Sequence, residues 1–369
     1  MDARIRNLAR TMTRYCLSAQ PREVFAINGG VAAAPLMEAL NEELLRAGAW
    51  PLLRMLPDGA GEAVFFHGQE HHLDEVSPAE KAIVKTLAGT AYIYSSRNTR
   101  SLSAVDPAQQ GRLARASRPL KDQLLKKKWT LTLFPTEAYA QDAEMRLQDF
   151  EDFVYAATFS DEADPVAAWL DLRVRQDKLI AKLEGAEEVR IVGPGTDLRM
   201  RIGGRTFINS PGVHNMPSGE VFTGPVEDSV EGEITYDFPV VNQGREIDGI
   251  RLVFRKGEVV EAQARKNEAY LLQMLEMDPG ARRVGELGIG TNFRIQRFIK
   301  NILFDEKIGG TVHVALGVSY PETGGKNKSS LHWDMIKDLR QGGALYIDGK
   351  CIQEDGVFKK SWFKPADRS

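Results

Sequence analysis

Glu23-Val-Phe-Ala-Ile-Asn-Gly-Gly30 is a short apolar run closed by two glycines, and its reading decides the fold of the first half of the chain. Bounded in this way, it reads as a buried strand turning into a loop. Residues 33–47 follow, with Leu36, Leu40, Leu44 and Leu45 spaced for one helical face and Gly48 as the stop. Pro51-Leu-Leu-Arg-Met55 is a second strand. Strand, helix and strand in this order make a βαβ unit, which implies a parallel sheet in an α/β domain. Upstream, residues 3–19 suggest an amphipathic helix ended by Pro21. Downstream, Ala91–Tyr94 and Trp129–Phe134 are strand candidates separated by a basic helix around 107–126. No Gly-x-Gly-x-x-Gly follows the first strand and no Walker-type loop occurs, so dinucleotide and nucleotide phosphate motifs are excluded.

Residues 147–157 and 165–184 read as further helices, and Gly185-Ala-Glu-Glu188 marks a change of character. Strands dominate afterwards: 189–192, 197–202, 232–241, 250–254 and 259–264, the last two joined as a hairpin by Lys256-Gly257. Helices are expected at 266–277 and near 293–304. The expected organisation is an α/β domain over 1–186 and an α+β, strand-rich, metal-binding domain over 187–369.

With 369 residues the chain is long enough for two cores. A net charge of −3 gives no reason to expect nucleic acid or an anionic membrane as partner. Lys126-Lys127-Lys128 is too short a run to change that and reads as a solvated face. Cys16 and Cys351 are the only cysteines, which rules out a thiolate zinc site and a disulfide framework. The first residues lack an apolar signal core and no apolar run reaches membrane-span length, so a cytoplasmic location is expected. His67, His71 and His72 form a tempting cluster, but Gly68 breaks a helix and no carboxylate sits at a metal-site spacing; a polar surface loop is the better reading.

The chemistry concentrates further on. Asn215-Met-Pro-Ser-Gly-Glu-Val-Phe-Thr-Gly-Pro-Val-Glu-Asp-Ser229 packs Glu220, Glu227 and Asp228 among two prolines and two glycines, and reads as a rigid irregular loop, neither helix nor central strand. Glu286 lies among Gly285, Gly288 and Gly290, where the backbone can approach other elements or simply form a surface loop. His313 sits in a run of small and apolar residues, where it is a ligand or a satisfied core histidine. His332 and Asp334, two apart, project to one side of an extended backbone, although His-x-Asp also arises by chance. Together these two histidines and three carboxylates suit a pair of divalent ions, with a bridging water as nucleophile. Tyr320 is a candidate donor to the developing oxyanion, or a packed aromatic before Pro321.

The segments 215–229, Gly285–Asn292, Ser319-Tyr-Pro321 and Asn327–Met335 resemble those of the thermophilic metalloaminopeptidases, the family of aminopeptidases T, S and PepS. Asn98-Thr-Arg100, Pro135–Ala140 and Glu151-Asp-Phe153 extend the likeness over nearly the whole chain. The resemblance implies a dinuclear site on Glu220, Glu286, His313, His332 and Asp334, with Tyr320 as site tyrosine. It implies that Glu286 bridges the metals and passes a proton to the leaving amine. Zinc, cobalt or manganese would suit the donors. It further implies short peptide substrates and a homodimer. Glu227 and Asp228 are candidates to hold the substrate ammonium, or to cap a helix or pair with an arginine. Two alternatives stand beside this reading. One is an iron-dependent 2,5-dihydroxypyridine-type ring-opening dioxygenase using His313, His332 and Asp334; the other is a peptide-binding homologue without catalysis.

Overall fold

A computed structural model describes residues 2–242 and 245–364. The chain forms two compact units, Met1–Ala168 with Gly212–Pro217, and Trp169–Pro211 with Ser218–Ser369.

The first unit holds the expected parallel sheet. Its strand order is Trp50–Leu56, Val24–Gly30, Gly89–Tyr94, Lys128–Leu133 and Asn215–Met216, every neighbouring pair being parallel. Helix Ala34–Arg46 completes the βαβ unit and buries Leu36, Met37, Leu40 and Leu44. Leu45, grouped with that face in the sequence, lies 53% exposed. At one turn per 3.6 residues it sits about 100° around from Leu44. The N-terminal helix is shorter than expected, with α geometry over Ala3–Thr11 and a π turn over Met12–Cys16. His67, His71 and His72 are exposed: His67 closes the short helix Ala63–His67, and after a break at Gly68 the other two lie within the helix Glu70–Asp74.

The second unit is α+β. One antiparallel sheet has eight strands and carries the expected hairpin, Arg251–Arg255 with Glu258–Gln263. A second, five-stranded antiparallel sheet runs in the order His332–Asp338, Thr311–Gly317, Val284–Gly290, Glu220–Thr223 and Ile208–Ser210. One expectation is corrected here and one open alternative is decided. Glu220–Thr223 is an internal strand of this sheet rather than irregular loop, because the prolines and glycines that punctuate the segment stop at Gly219 and resume at Gly224. Likewise Val284–Gly290 is a fully buried strand and not a surface loop. The helix expected near 293–304 shrinks to Ile302–Asp305. The Asp305 carboxylate accepts from the backbone N–H groups of Ile299 and Asn301 at 2.8 and 2.7 Å, which holds the preceding chain in a turn.

Candidate metal centre

The register of the five-stranded sheet gathers the ligand-type residues. Gly290 pairs with Glu220, Gly288 with His313, Ala315 with both Glu286 and Asp334, and Gly317 with His332. Side chains two apart share a face, so Glu286, Gly288 and Gly290 face alike, as do His313, Ala315 and Gly317, and His332 and Asp334. Each functional side chain thus stands beside a glycine or alanine across the strand. The need for that space is direct: a Cβ added at Gly288 would lie 1.9 Å from Cε1 of His313.

All five ligand-type residues converge. His313 Nε2 lies 3.2 Å from Glu286 Oε1 and 3.5 Å from Glu220 Oε2. His332 Nε2 lies 3.5 Å from Glu286 Oε2 and 3.4 Å from Asp334 Oδ2. Two groups share Glu286, namely Glu220–Glu286–His313 and Glu286–His332–Asp334, and a third joins Glu306, His313 and Asp334, each with ligand atoms within 4.8 Å of one another. Each imidazole sets its Nδ1 against a backbone carbonyl, Glu306 O at 3.0 Å for His313 and Val318 O at 3.2 Å for His332. An Nδ1–H held in this way leaves Nε2 facing the carboxylates, the arrangement usual for a metal-binding histidine. Glu220 Oε2 and Asp334 Oδ1 are buried without a hydrogen-bond partner. Buried carboxylate oxygens are costly to leave unpaired, and cations among them would satisfy both. The donor set therefore fits divalent metal.

A family model described as thermophilic metalloprotease (M29) matches residues 1–358. The chain belongs to this family. The motif likeness drawn from the segments around Glu220, Glu286, Tyr320 and His332 thus holds over nearly the full length. Among curated relatives of this metalloprotease, Aminopeptidase 2 of Geobacillus stearothermophilus is 28% identical over 98% of this chain and 95% of its own length. Aminopeptidase T of Thermus thermophilus is 28% identical over 69% of this chain and 72% of its own. The solved structure of wild-type AmpT from Thermus thermophilus superposes with a TM-score of 0.82 at 24% identity, covering 96% of this chain and 98% of that one. The 2,5-dihydroxypyridine dioxygenase of Pseudomonas putida KT2440 shares the fold at a TM-score of 0.59 and 16% identity, covering 97% and 98%.

The charge balance of the metalloprotease's centre follows from burial opposed by close pairing. Burial raises the Glu286 carboxyl above the usual range, with the His313 hydrogen bond acting against it. Burial would also raise Asp334, but the charge and hydrogen bond of His332 outweigh it and hold Asp334 below the usual range. Burial would lower His332; the carboxylates of Asp334 and Glu286 overcome it and push the imidazole up to about 10. Burial would lower His313 too, and there Glu286 and Glu220 outweigh it and raise the imidazole. Tyr320, 42% exposed, has its ring 5.4 Å from that of His332 and 5.5 Å from that of Phe222. Burial of its hydroxyl end and the nearby carboxylates raise its pKa, so it remains a protonated donor at neutral pH.

The structure also places residues that sequence reasoning missed. Lys307, fully buried, sets Nζ 2.9 Å from Glu220 Oε1 and also pairs with Glu306. This engages one oxygen of Glu220 and leaves Oε2 for the centre. Gln176 donates Nε2 to the Glu220 carbonyl at 2.8 Å and to Thr291 Oγ1 at 3.0 Å. Glu306 supplies a carboxylate within 4.8 Å of ligand atoms of His313 and Asp334. A lysine beside a glutamate carries no sequence signal of this kind, because such pairs are ordinarily exposed. Glu227 and Asp228 stay outside the cluster. Glu227 pairs with Arg205 at 2.7 Å and accepts the Lys326 backbone N–H at 2.6 Å, while Asp228 is exposed.

Proposed function

We propose that this metalloprotease is an aminopeptidase that hydrolyses the N-terminal peptide bond of short peptides, using two divalent ions. Glu220, His313 and Glu286 Oε1 would hold one ion, and Glu286 Oε2, His332 and Asp334 the other. The observation that carries the reading is the shared Glu286, whose two oxygens face different histidines at 3.2 and 3.5 Å. At such separations each histidine and its neighbouring carboxylates could share one ion. The exopeptidase part of the reading rests on the names of the relatives. Zinc, cobalt or manganese suits the donors. A cytoplasmic homodimer belongs to the same reading.

When bound, the two ions would acidify a water and polarise the scissile carbonyl. The protein's own groups do the rest. Glu286, buried where the two groups meet, would take the water's proton and return it to the leaving amine. Tyr320 donates to the oxygen that becomes negative in the transition state. The iron dioxygenase alternative needs both histidines and one carboxylate on a single ion, whereas His313 and His332 fall into different groups. No ligand position is lacking, which speaks against a catalytically inert homologue.

Elemental analysis run beside amino-acid release from a dipeptide panel tests the proposal. About two divalent ions per chain, with N-terminal residues released only when metal is present, is the expected outcome. One iron per chain with no peptide cleavage would refute it.

A further inference from the structure

A cavity of about 150 Å³ opens directly beside His332 and Asp334. Ile336, on the same strand at a spacing of two from Asp334 and four from His332, shares their face and continues the floor. Phe238 and Phe298 form an aromatic wall, with ring centroids 4.6 Å apart and planes inclined by 2°. Val240 and Ile302 add aliphatic surface. Beyond His332 and Asp334, which the proposed ions would engage, the charged groups that reach the cavity already have partners within the protein. The Asp305 carboxylate accepts backbone N–H groups from Ile299 and Asn301, and Lys300 Nζ lies 3.7 Å from Glu246. A charged ligand group entering here would lose water without gaining a partner, whereas an apolar one loses nothing.

We propose that this cavity is the subsite for the side chain of the substrate's N-terminal residue, and that it selects aliphatic and monocyclic aromatic side chains. The proposal rests on the aminopeptidase reading. A substrate whose first carbonyl sits at the centre carries its first side chain one carbon away, next to His332 and Asp334, where the cavity begins. Size sets the upper bound. A cavity of about 150 Å³ has room for a benzene-sized group, so Leu, Ile and Phe fit and the indole of Trp overfills it. Burying a side chain of that size favours it over alanine by roughly 10- to 100-fold in kcat/KM.

The test compares kcat/KM for Leu-, Phe-, Trp-, Ala- and Lys-initiated dipeptides in the metal-loaded protein and in two variants whose folding is checked by circular dichroism. Val240→Phe fills the cavity and should lower the Leu-to-Ala ratio at least about tenfold; Phe298→Ala widens it and should raise the Trp-to-Leu ratio. Ratios near one in the wild type, or ratios that neither variant moves, overturn the subsite. Should no dipeptide be cleaved, the aminopeptidase reading fails by itself, and calorimetry decides the cavity separately. Tighter binding of L-leucine than of L-alanine, lost in Val240→Phe, upholds an apolar amino-acid site, and equal or absent binding of the two overturns it.

Discussion

Replacing Lys307 by methionine removes a buried charge at nearly constant volume. Its Nζ pairs with Glu220 at 2.9 Å and with Glu306, and side-chain exposures of 0%, 7% and 13% leave little room for water to substitute. Breaking a buried pair by deleting one partner costs about 3–5 kcal/mol, because the remaining charge is stranded. For a unit of this size, each kcal/mol moves the melting temperature by about 2–4 °C. The Lys307→Met variant, stripped of metal, should therefore melt about 6–20 °C below the wild type at about pH 8. Two features identify charge as the cause. The deficit should shrink at about pH 5, since a stranded buried carboxylate escapes its penalty by taking up a proton. It should also shrink on metal addition, because cations beside Glu220 Oε2 replace the lost positive charge. Thermal melts followed by circular dichroism at both pH values, with and without metal, measure all of this. A deficit below about 2 °C, or one indifferent to both pH and metal, would refute the argument and reduce Lys307 to a packing residue.

Metal uptake should be pH-dependent, because the His332 imidazole is pushed up to about 10 and must lose its Nε2 proton to become a ligand. About three units above neutrality correspond to about 4 kcal/mol of apparent affinity at pH 7. Log affinity measured by chelator competition should rise by about one or more per pH unit from about 7 to 9, and a flat profile would contradict the assignment. The sign for stability is the opposite. In the metal-free protein the His332 pair contributes fully below its unfolded pKa of about 6.5, and that contribution fades as pH climbs through about 10. Tyr320→Phe should lower kcat by about 10²-fold with little change in KM, the signature of a donor used only in the transition state. An unchanged kcat would leave Tyr320 as ring packing against His332 and Phe222.

Much of this molecule is legible from local pattern. The run from Glu23 to Met55 reads as strand, helix and strand because burial on a sheet and on a helix imposes different periods on apolar residues, and the structure keeps each element within about two residues. His332 and Asp334 read as a shared face because side chains alternate along any extended chain. Glycines 285, 288 and 290 mark close approach by their spacing alone, and the packing of His313 against Gly288 shows what the space is for. Pattern failed where punctuation misled, as at Glu220–Thr223, whose flanking prolines and glycines concealed a short internal strand. What the sequence determines by itself is the inventory of ligand types and the small residues beside them, since those depend on side-chain chemistry and local spacing. Only the tertiary structure decides that Glu286 stands between two histidines, that Lys307 is buried against Glu220, and that a cavity walled by Phe238 and Phe298 opens beside Asp334. Those relations depend on strand register and on contacts between residues tens of positions apart, which no local pattern encodes.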